Sequence, residues 1–228
     1  MERIGEFLRN RPYPGRGIML GATADMNSLT VIYFIMGRSE NSRNRIFEAE
    51  GRSIKIRAFD EAKLKDPSLV IYYPLKICGN MLILTNGDQT DTIYTYIREG
   101  HSFEDALRTR TYEPDSLCTP RISGILDLAD GSYRLNILKT SPCGDCLRFF
   151  YEYPLTAGHS HFISTYDGDN DNPSSFSGEP LSFEITSDID EMSSLVWDNL
   201  NEDNKVSLFV RYIDRKTKES VTRIVNRN

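Results

Sequence analysis

The sequence predicts an α+β protein in which two layers of mainly antiparallel sheet are covered by a few one-sided helices. Three observations carry this. Most of the chain consists of β-branched or aromatic runs broken by turn residues, several runs follow hairpin signals, and only three stretches show helical periodicity. With 228 residues and no internal repeat or low-complexity linker, residues 1–228 are expected to form a single domain with one substantial core.

The elements follow in order. Strands are expected at "GIMLGA", "SLTVIYFIMG", "SIKIRAF", "SLVIYYPLKI", "NMLILTN", "RISGILDL", "SYRLNILKT", "LRFFYEYPL", "HFISTY", "VSLFVRYI" and "SVTRIVN". Gly79–Asn80 and Asp130–Gly131 are two-residue pairs suited to tight antiparallel connections. "TDTIYTYIREG" sets Ile93, Tyr96 and Ile97 at helical spacing and stops at Gly100, and "SFEDALRT" opens with Ser102 and Asp105 in capping-box register. In "SDIDEMSSLVWDNL" a stripe of Ile189, Met192, Leu195, Val196 and Leu200 follows a second capping pair, Ser187 and Asp190.

Composition excludes several classes. A net charge of −6 argues against a nucleic-acid partner, which needs a basic face. "MERIGEFLRN" has no apolar core of a signal peptide and no apolar stretch is long enough to span a bilayer, so a soluble, cytoplasmic protein without a membrane partner is expected. Four cysteines without a secretory signal read as reduced thiols.

Several motifs invite a ligand. "GRGIMLG" misses the dinucleotide spacing by one residue and leads into a strand, and no phosphate-binding G-x-x-x-x-G-K-S/T occurs. Cys143 and Cys146 followed by His159 and His161 fall short of the usual zinc spacing, so a turn with two thiols and two strand histidines is expected, with no metal. Asp167, Asp169 and Asp171 mimic the start of a calcium loop, but Asn172 and Gly178 stand where Gly and Glu are wanted. Asn86, Asp88 and Gln89 lie where a strand runs into a helix, a place for ligand contacts or for a plain Asx turn. Glu113 and Asp115 sit in a proline-bracketed loop, followed by Arg121 entering a strand.

The most suggestive stretch is "GRSENSRNRIF" at 37–47. The apolar run "LTVIYFIM" delivers Arg38, Arg43 and Arg45 into one loop, interleaved with Ser39, Asn41, Ser42 and Asn44. A solvated loop is the plain reading, yet guanidinium forks beside small hydroxyl and amide donors are what a phosphate group needs.

Taken with "YPGRG" at 13–17, "LTNGDQTDTI", "YEPDSLCTPRI" at 112–122 and "TYDGDNDNPSSFSGEP" at 165–180, that loop resembles the archaeal-type IMP cyclohydrolase family, motif by motif and in order. The resemblance implies a four-layer α-β-β-α sandwich similar to N-terminal-nucleophile hydrolases. It also implies ring closure of 5-formamidoimidazole-4-carboxamide ribotide (FAICAR) to IMP with loss of water, and no cofactor, since both reacting groups belong to the substrate. By the same resemblance Glu113 is a general base or proton shuttle, Tyr72 donates to the formyl oxygen, and Arg38 stands close by. The resemblance further implies that Arg38 and Arg45 clamp the 5′-phosphate with Arg43 at the rim, that Arg16 and Ser39 bind substrate, and that Asn86 and Arg121 position the carboxamide. Residues 1–12 precede the first family motif, and no family motif is recognised after Pro180.

The residues leave alternatives. Tyr72 also reads as a core aromatic with Tyr73 an equal phenol, and Arg121 as a partner of Asp115. A related amidohydrolase would need an activated nucleophile where the sequence has Pro12, Tyr13 and Pro14, and a purine-nucleotide-binding protein would keep the pocket without turnover. A homo-oligomer is expected.

Overall fold

A computed structural model describes residues 3–168 and 172–228. Helix α1 (Ile4–Arg9) precedes a hairpin of β1 (Arg16–Ala22) and β2 (Ser28–Met36). One turn of helix, α2 (Glu40–Arg43), leads into β3 (Arg45–Glu50) and β4 (Ser53–Ala58). Then come β5 (Leu75–Cys78), β6 (Met81–Thr85), α3 (Gln89–Arg98) and α4 (Phe103–Arg108). A meander of β7 (Arg121–Asp127), β8 (Tyr133–Thr140) and β9 (Cys146–Tyr153) follows. The chain closes with β10 (His159–Ser164), β11 (Leu181–Glu184), α5 (Ile189–Trp197), β12 (Lys205–Asp214) and β13 (Ser220–Asn226).

Two antiparallel sheets result. One has the order β11-β10-β1-β2-β12-β13 and the other runs β3 to β9 in sequence. Three apolar clusters define the layers. Alternate residues of both sheets, among them Ile18, Tyr33, Phe47, Leu84, Leu135 and Phe209, meet in the central core. Their neighbours on the opposite faces pack under helices: Met19, Phe34 and Phe162 under α1 and α5, and Ile83, Ile125 and Leu138 under α3 and α4. The expected four-layer α-β-β-α sandwich is therefore present. No helix among the described residues is long and apolar enough to cross a membrane.

Four local differences from the sequence reading have physical causes. Helix α1 went unread because Arg3 gives it no side-chain cap, although Ile4, Phe7 and Leu8 are spaced i, i+3, i+4 and all buried; each contributes about 1.5–3 kcal/mol. Strand β3 has only one large buried apolar side chain, Phe47, and β11 is four residues long, so neither shows clear alternation. "SLVIYYPLKI" becomes a strand only from Leu75: the amides of Val70 and Ile71 bond back to Pro67 O, and β4 and β5 share the single register pair Ile54–Leu75. The cap of α5 is Asp188, whose carboxylate accepts the amides of Asp190 and Glu191, in place of the expected Ser187 pair.

The predicted turns divide similarly. Gly79–Asn80 is a two-residue hairpin closed by the Cys78–Met81 pair. Asp130–Gly131 belongs to a longer connection, from Leu128 to Ser132, in which Gly131 N bonds Asp127 O.

Candidate active site

A cavity of about 370 Å³ opens at the end of the sandwich where β1 and β3 begin and β2 and β10 finish. The loop after β2 supplies Arg38, Ser39, Asn41 and Ser42, with Arg45 behind it. The loop before β7 supplies Glu113, Asp115 and Thr119, while Tyr13, Arg16, Asp66 and Tyr166 complete the polar lining.

The arginine loop is shaped by its own small residues. Ser39 Oγ accepts the Ser42 amide at 3.1 Å and Ser42 Oγ accepts the Ser39 amide at 3.0 Å, a capping box that starts α2. Arg45 then enters β3 only 1% exposed, its Nε donating to Ser42 O at 2.7 Å. Its Nη1 is buried with no hydrogen-bond partner among the described residues. Burial pushes its proton affinity down, so an anion here would restore what the fold has removed. Arg43 turns away, donating to Gly37 O at 2.9 Å, and does not line the cavity. The guanidinium of Arg38 lies over the Tyr13 ring at 3.8 Å, and Tyr13 stacks on Tyr166 with centroids 5.9 Å apart.

Glu113 faces these cations. It is 2% exposed, and Arg16 Nη2 approaches its Oε2 at 3.4 Å. Burial pushes the Glu113 carboxyl above the usual carboxylate range despite the opposing pull of Arg16 and Arg121. Arg16 is the converse: burial works against its charge, but Glu113 holds its proton affinity above the ordinary value. Arg16 Nε is also buried without a partner among the described residues.

Asn86 and Arg121 stand behind Glu113 and are absent from the cavity lining. Asn86 Nδ2 donates to Pro120 O at 2.9 Å and to Glu113 Oε1 at 3.4 Å, and its Oδ1 accepts from Gln89 Nε2 and from the Ile122 amide. Arg121 bonds Gln89 Oε1 at 2.7 Å and Asp88 Oδ1 at 2.6 Å; its partner is Asp88, not Asp115. "NGDQ" thus brackets the Glu113 loop from behind, with Asn86 and Gln89 buried and Asp88 at the surface.

Tyr72 also lies outside the lining. It is buried in the central core with its hydroxyl 2.8 Å from that of Tyr33, and burial raises its pKa against the pull of Arg16 and Arg45. Tyr73 points the other way, to Glu50, with the Lys76 ammonium over its ring. The two phenols that sequence could not separate are therefore one inside and one outside.

The lining includes residues that sequence reasoning did not select. Thr119 donates its one hydroxyl proton to Asp115 Oδ2 at 2.5 Å, because a carboxylate only accepts; Tyr166 must then donate to Thr119 Oγ1 at 2.7 Å. The Tyr166 phenol, held by burial at a pKa of about 12, keeps only acceptor capacity for anything bound in the cavity. Tyr13, Asp115, Thr119 and Tyr166 all lie inside the quoted motifs, so their signal was present but not their convergence.

"YPGRG" owes its glycines to packing. Gly15 has φ +76°, and a Cβ there would fall 2.3 Å from Thr165 Oγ1 and 2.7 Å from Tyr166 Cδ2. A Cβ on Gly17 would meet the Phe34 and Phe162 rings at 2.4 and 2.6 Å.

The cysteine–histidine motif does not converge. Cys146 is paired with Thr140 at one end of β9, while His161, on β10 of the other sheet, stacks on Tyr153 at the opposite end and bonds Tyr133. Seven residues of strand separate the two, roughly 23 Å at ~3.3 Å per residue. No group of three or more His, Cys, Asp or Glu among the described residues is placed to hold a metal. Of the calcium-like triplet, Asp169 and Asp171 lie outside the described residues, and Asp167 bonds Arg11 at 2.9 Å.

A two-sheet sandwich whose end cavity sets buried guanidinium groups against a buried carboxyl of raised proton affinity defines a sandwich protein with a polar end pocket. The chain belongs to the family of IMP cyclohydrolase-like proteins, whose profile matches residues 13–218. It is 30% identical over 164 residues to an IMP cyclohydrolase of Methanococcus maripaludis (strain C7), covering 69% of this chain and 76% of that protein. It is 26% identical over 166 residues to that of Methanosphaera stadtmanae, covering 68% and 74%, and 34% identical over 119 residues to that of Methanopyrus kandleri, covering 50% and 59%. The match continues well past Pro180, where sequence reading placed no motif, and begins at Tyr13, so α1 precedes it.

Proposed function

We propose that this chain is an IMP cyclohydrolase that closes FAICAR to IMP with loss of water. One observation carries the reading: Arg45, whose buried Nη1 has no hydrogen-bond partner among the described residues, lines the same cavity as Glu113, whose carboxyl has a raised proton affinity. The first suits a phosphate and the second suits proton transfer.

In this reading Arg45, Arg38 and Ser39 take the 5′-phosphate, and Arg16 holds Glu113 while offering a donor of its own. The carboxamide nitrogen attacks the formyl carbon, passing a proton to Glu113 as the formyl oxygen gains charge and then a proton. Tyr72, beside Arg16 and Arg45, is the donor assigned to that oxygen. The carbinolamine then loses its hydroxyl as water, protonated by Glu113, while the former formamide N–H proton returns to the Tyr72 phenoxide, which restores both side chains and leaves the C=N bond of IMP. Asn86 and Arg121 act through Glu113 as positioning residues. The reaction needs no added cofactor, and the same reading puts the protein in the cytoplasm with a small molecule as its partner.

The test is to incubate purified protein with FAICAR in metal-free buffer and follow IMP. Formation well above the uncatalysed rate supports the proposal. Folded protein that leaves FAICAR unchanged but binds IMP would convert it to a nucleotide-binding protein.

A further inference from the structure

A sheet edge presents a row of unpaired N–H and C=O groups, so an uncovered one is a place for another chain to add. Among the described residues the two sheets have four. The β3 and β13 edges close on each other, since Asn226 donates to Phe47 O at 3.1 Å and accepts the Phe47 amide at 2.9 Å. Strand β11 is only four residues long. Strand β9 differs from all three. It runs for eight residues at the end of its sheet, pairs with β8 without a bulge, and contains neither lysine nor proline. Among the described residues no backbone hydrogen bond joins its outer edge to another segment. Leu147 and Phe149, which share one face of it, are 37% and 39% exposed.

The sequence of this strand, "CLRFFYEY", is self-complementary when two copies run antiparallel about Phe150. In that register Arg148 of each copy faces Glu152 of the other, Phe149 faces Tyr151, and Leu147 faces Tyr153. Opposed residues in an antiparallel pair share a face, so only even shifts are open, and every other one loses both charge pairs. Arg148 is already fixed on the helix-covered face: its Nη2 donates to Arg110 O at 2.9 Å and Arg108 O at 3.4 Å, and its Nη1 to Cys146 O at 3.1 Å. Phe150 packs edge-on to Phe103 on that same face.

We infer that β9 pairs with β9 of a second copy of this chain about a two-fold axis, joining two seven-stranded sheets into one continuous sheet. The interface is isologous and closed, so it ends the edge instead of propagating it. No residue of β9 lines the cavity, and the inference stands whether or not the chain turns over FAICAR.

Sedimentation equilibrium of the full chain over a range of concentrations tests it. A dimer, or an even-numbered assembly containing one, is expected. Arg148→Glu and Glu152→Arg, each of which opposes like charges, should raise its dissociation constant about tenfold or more, and the double variant should restore it. Amide exchange on the unaltered protein gives a reading that does not depend on the variants folding: outer-edge amides of β9 should lose protection on dilution through the dissociation constant. A monomer at every concentration, a dimer indifferent to both reversals, or β9 amides whose protection ignores dilution would overturn the inference.

Discussion

The hydroxyls of Tyr33 and Tyr72 meet at 2.8 Å in the central core, beside two arginines of the cavity. Burial keeps both phenols protonated, so if Tyr33 donates to Tyr72, the Tyr72 proton is left for the site. Tyr72→Phe should therefore lower kcat for FAICAR by about 10²-fold or more with little change in IMP affinity. Tyr33→Phe should have a smaller effect on the same rate. Steady-state kinetics of both variants decide it, and unchanged turnover in Tyr72→Phe removes the phenol from the mechanism.

Arg45 and Arg38 should discriminate nucleotide from nucleoside. Replacing either by Ala removes a charge-assisted bond to phosphate worth about 1.5–3 kcal/mol, so IMP binding should weaken by roughly 10- to 100-fold while inosine binding changes much less. Calorimetric titration with both ligands measures the difference. Equal losses would place the phosphate elsewhere.

Glu113 links activity to stability. Its folded pKa is raised, so its contribution to stability is fully present below the ordinary glutamate value of about 4.3 and is lost as pH rises through the folded value. Glu113→Gln keeps the shape of the protonated carboxyl and escapes this loss. The variant should gain stability relative to the natural protein as pH rises above the ordinary glutamate value and through the raised folded one, while its turnover falls. Urea unfolding at a series of pH values reads the first effect; parallel pH curves for the two proteins would show that Glu113 is not the group that titrates.

Gly15→Ala should destabilise the fold by about 1–3 kcal/mol through its positive φ alone, and by more because Thr165 and Tyr166 must move to admit the methyl group. Since Tyr166 lines the cavity, IMP affinity should fall with stability. Thermal unfolding that leaves the variant within a few tenths of a kcal/mol would mean that this turn relaxes freely.

Periodicity and turn chemistry are local, and they carried most of the fold. Runs such as 28–36 and 205–214 could be little else than strands, and the Ser102–Asp105 box announced its helix. What stayed hidden was also local in origin: α1 lacks a capping side chain, and 68–74 is rich in β-formers but is bent by the turn at Pro67 before its backbone can pair. Packing overruled propensity there, and that bend separates Tyr72 from Tyr73.

The sequence by itself determined the α+β class, the alternation that gives each sheet two apolar faces, and the family, because these depend on residue order and spacing alone. It also determined that Arg38, Arg45 and Glu113 were the residues to examine. Only the tertiary structure decided which of the candidates meet. Arg16 and Glu113 are 97 positions apart in sequence and 3.4 Å apart in space, whereas Asn86 and Arg121, also drawn from the quoted motifs, stand behind Glu113 and bracket its loop. The physical reason is that a buried charge must be satisfied by whatever the fold brings beside it, and those partners come from strands that order along the chain does not place together.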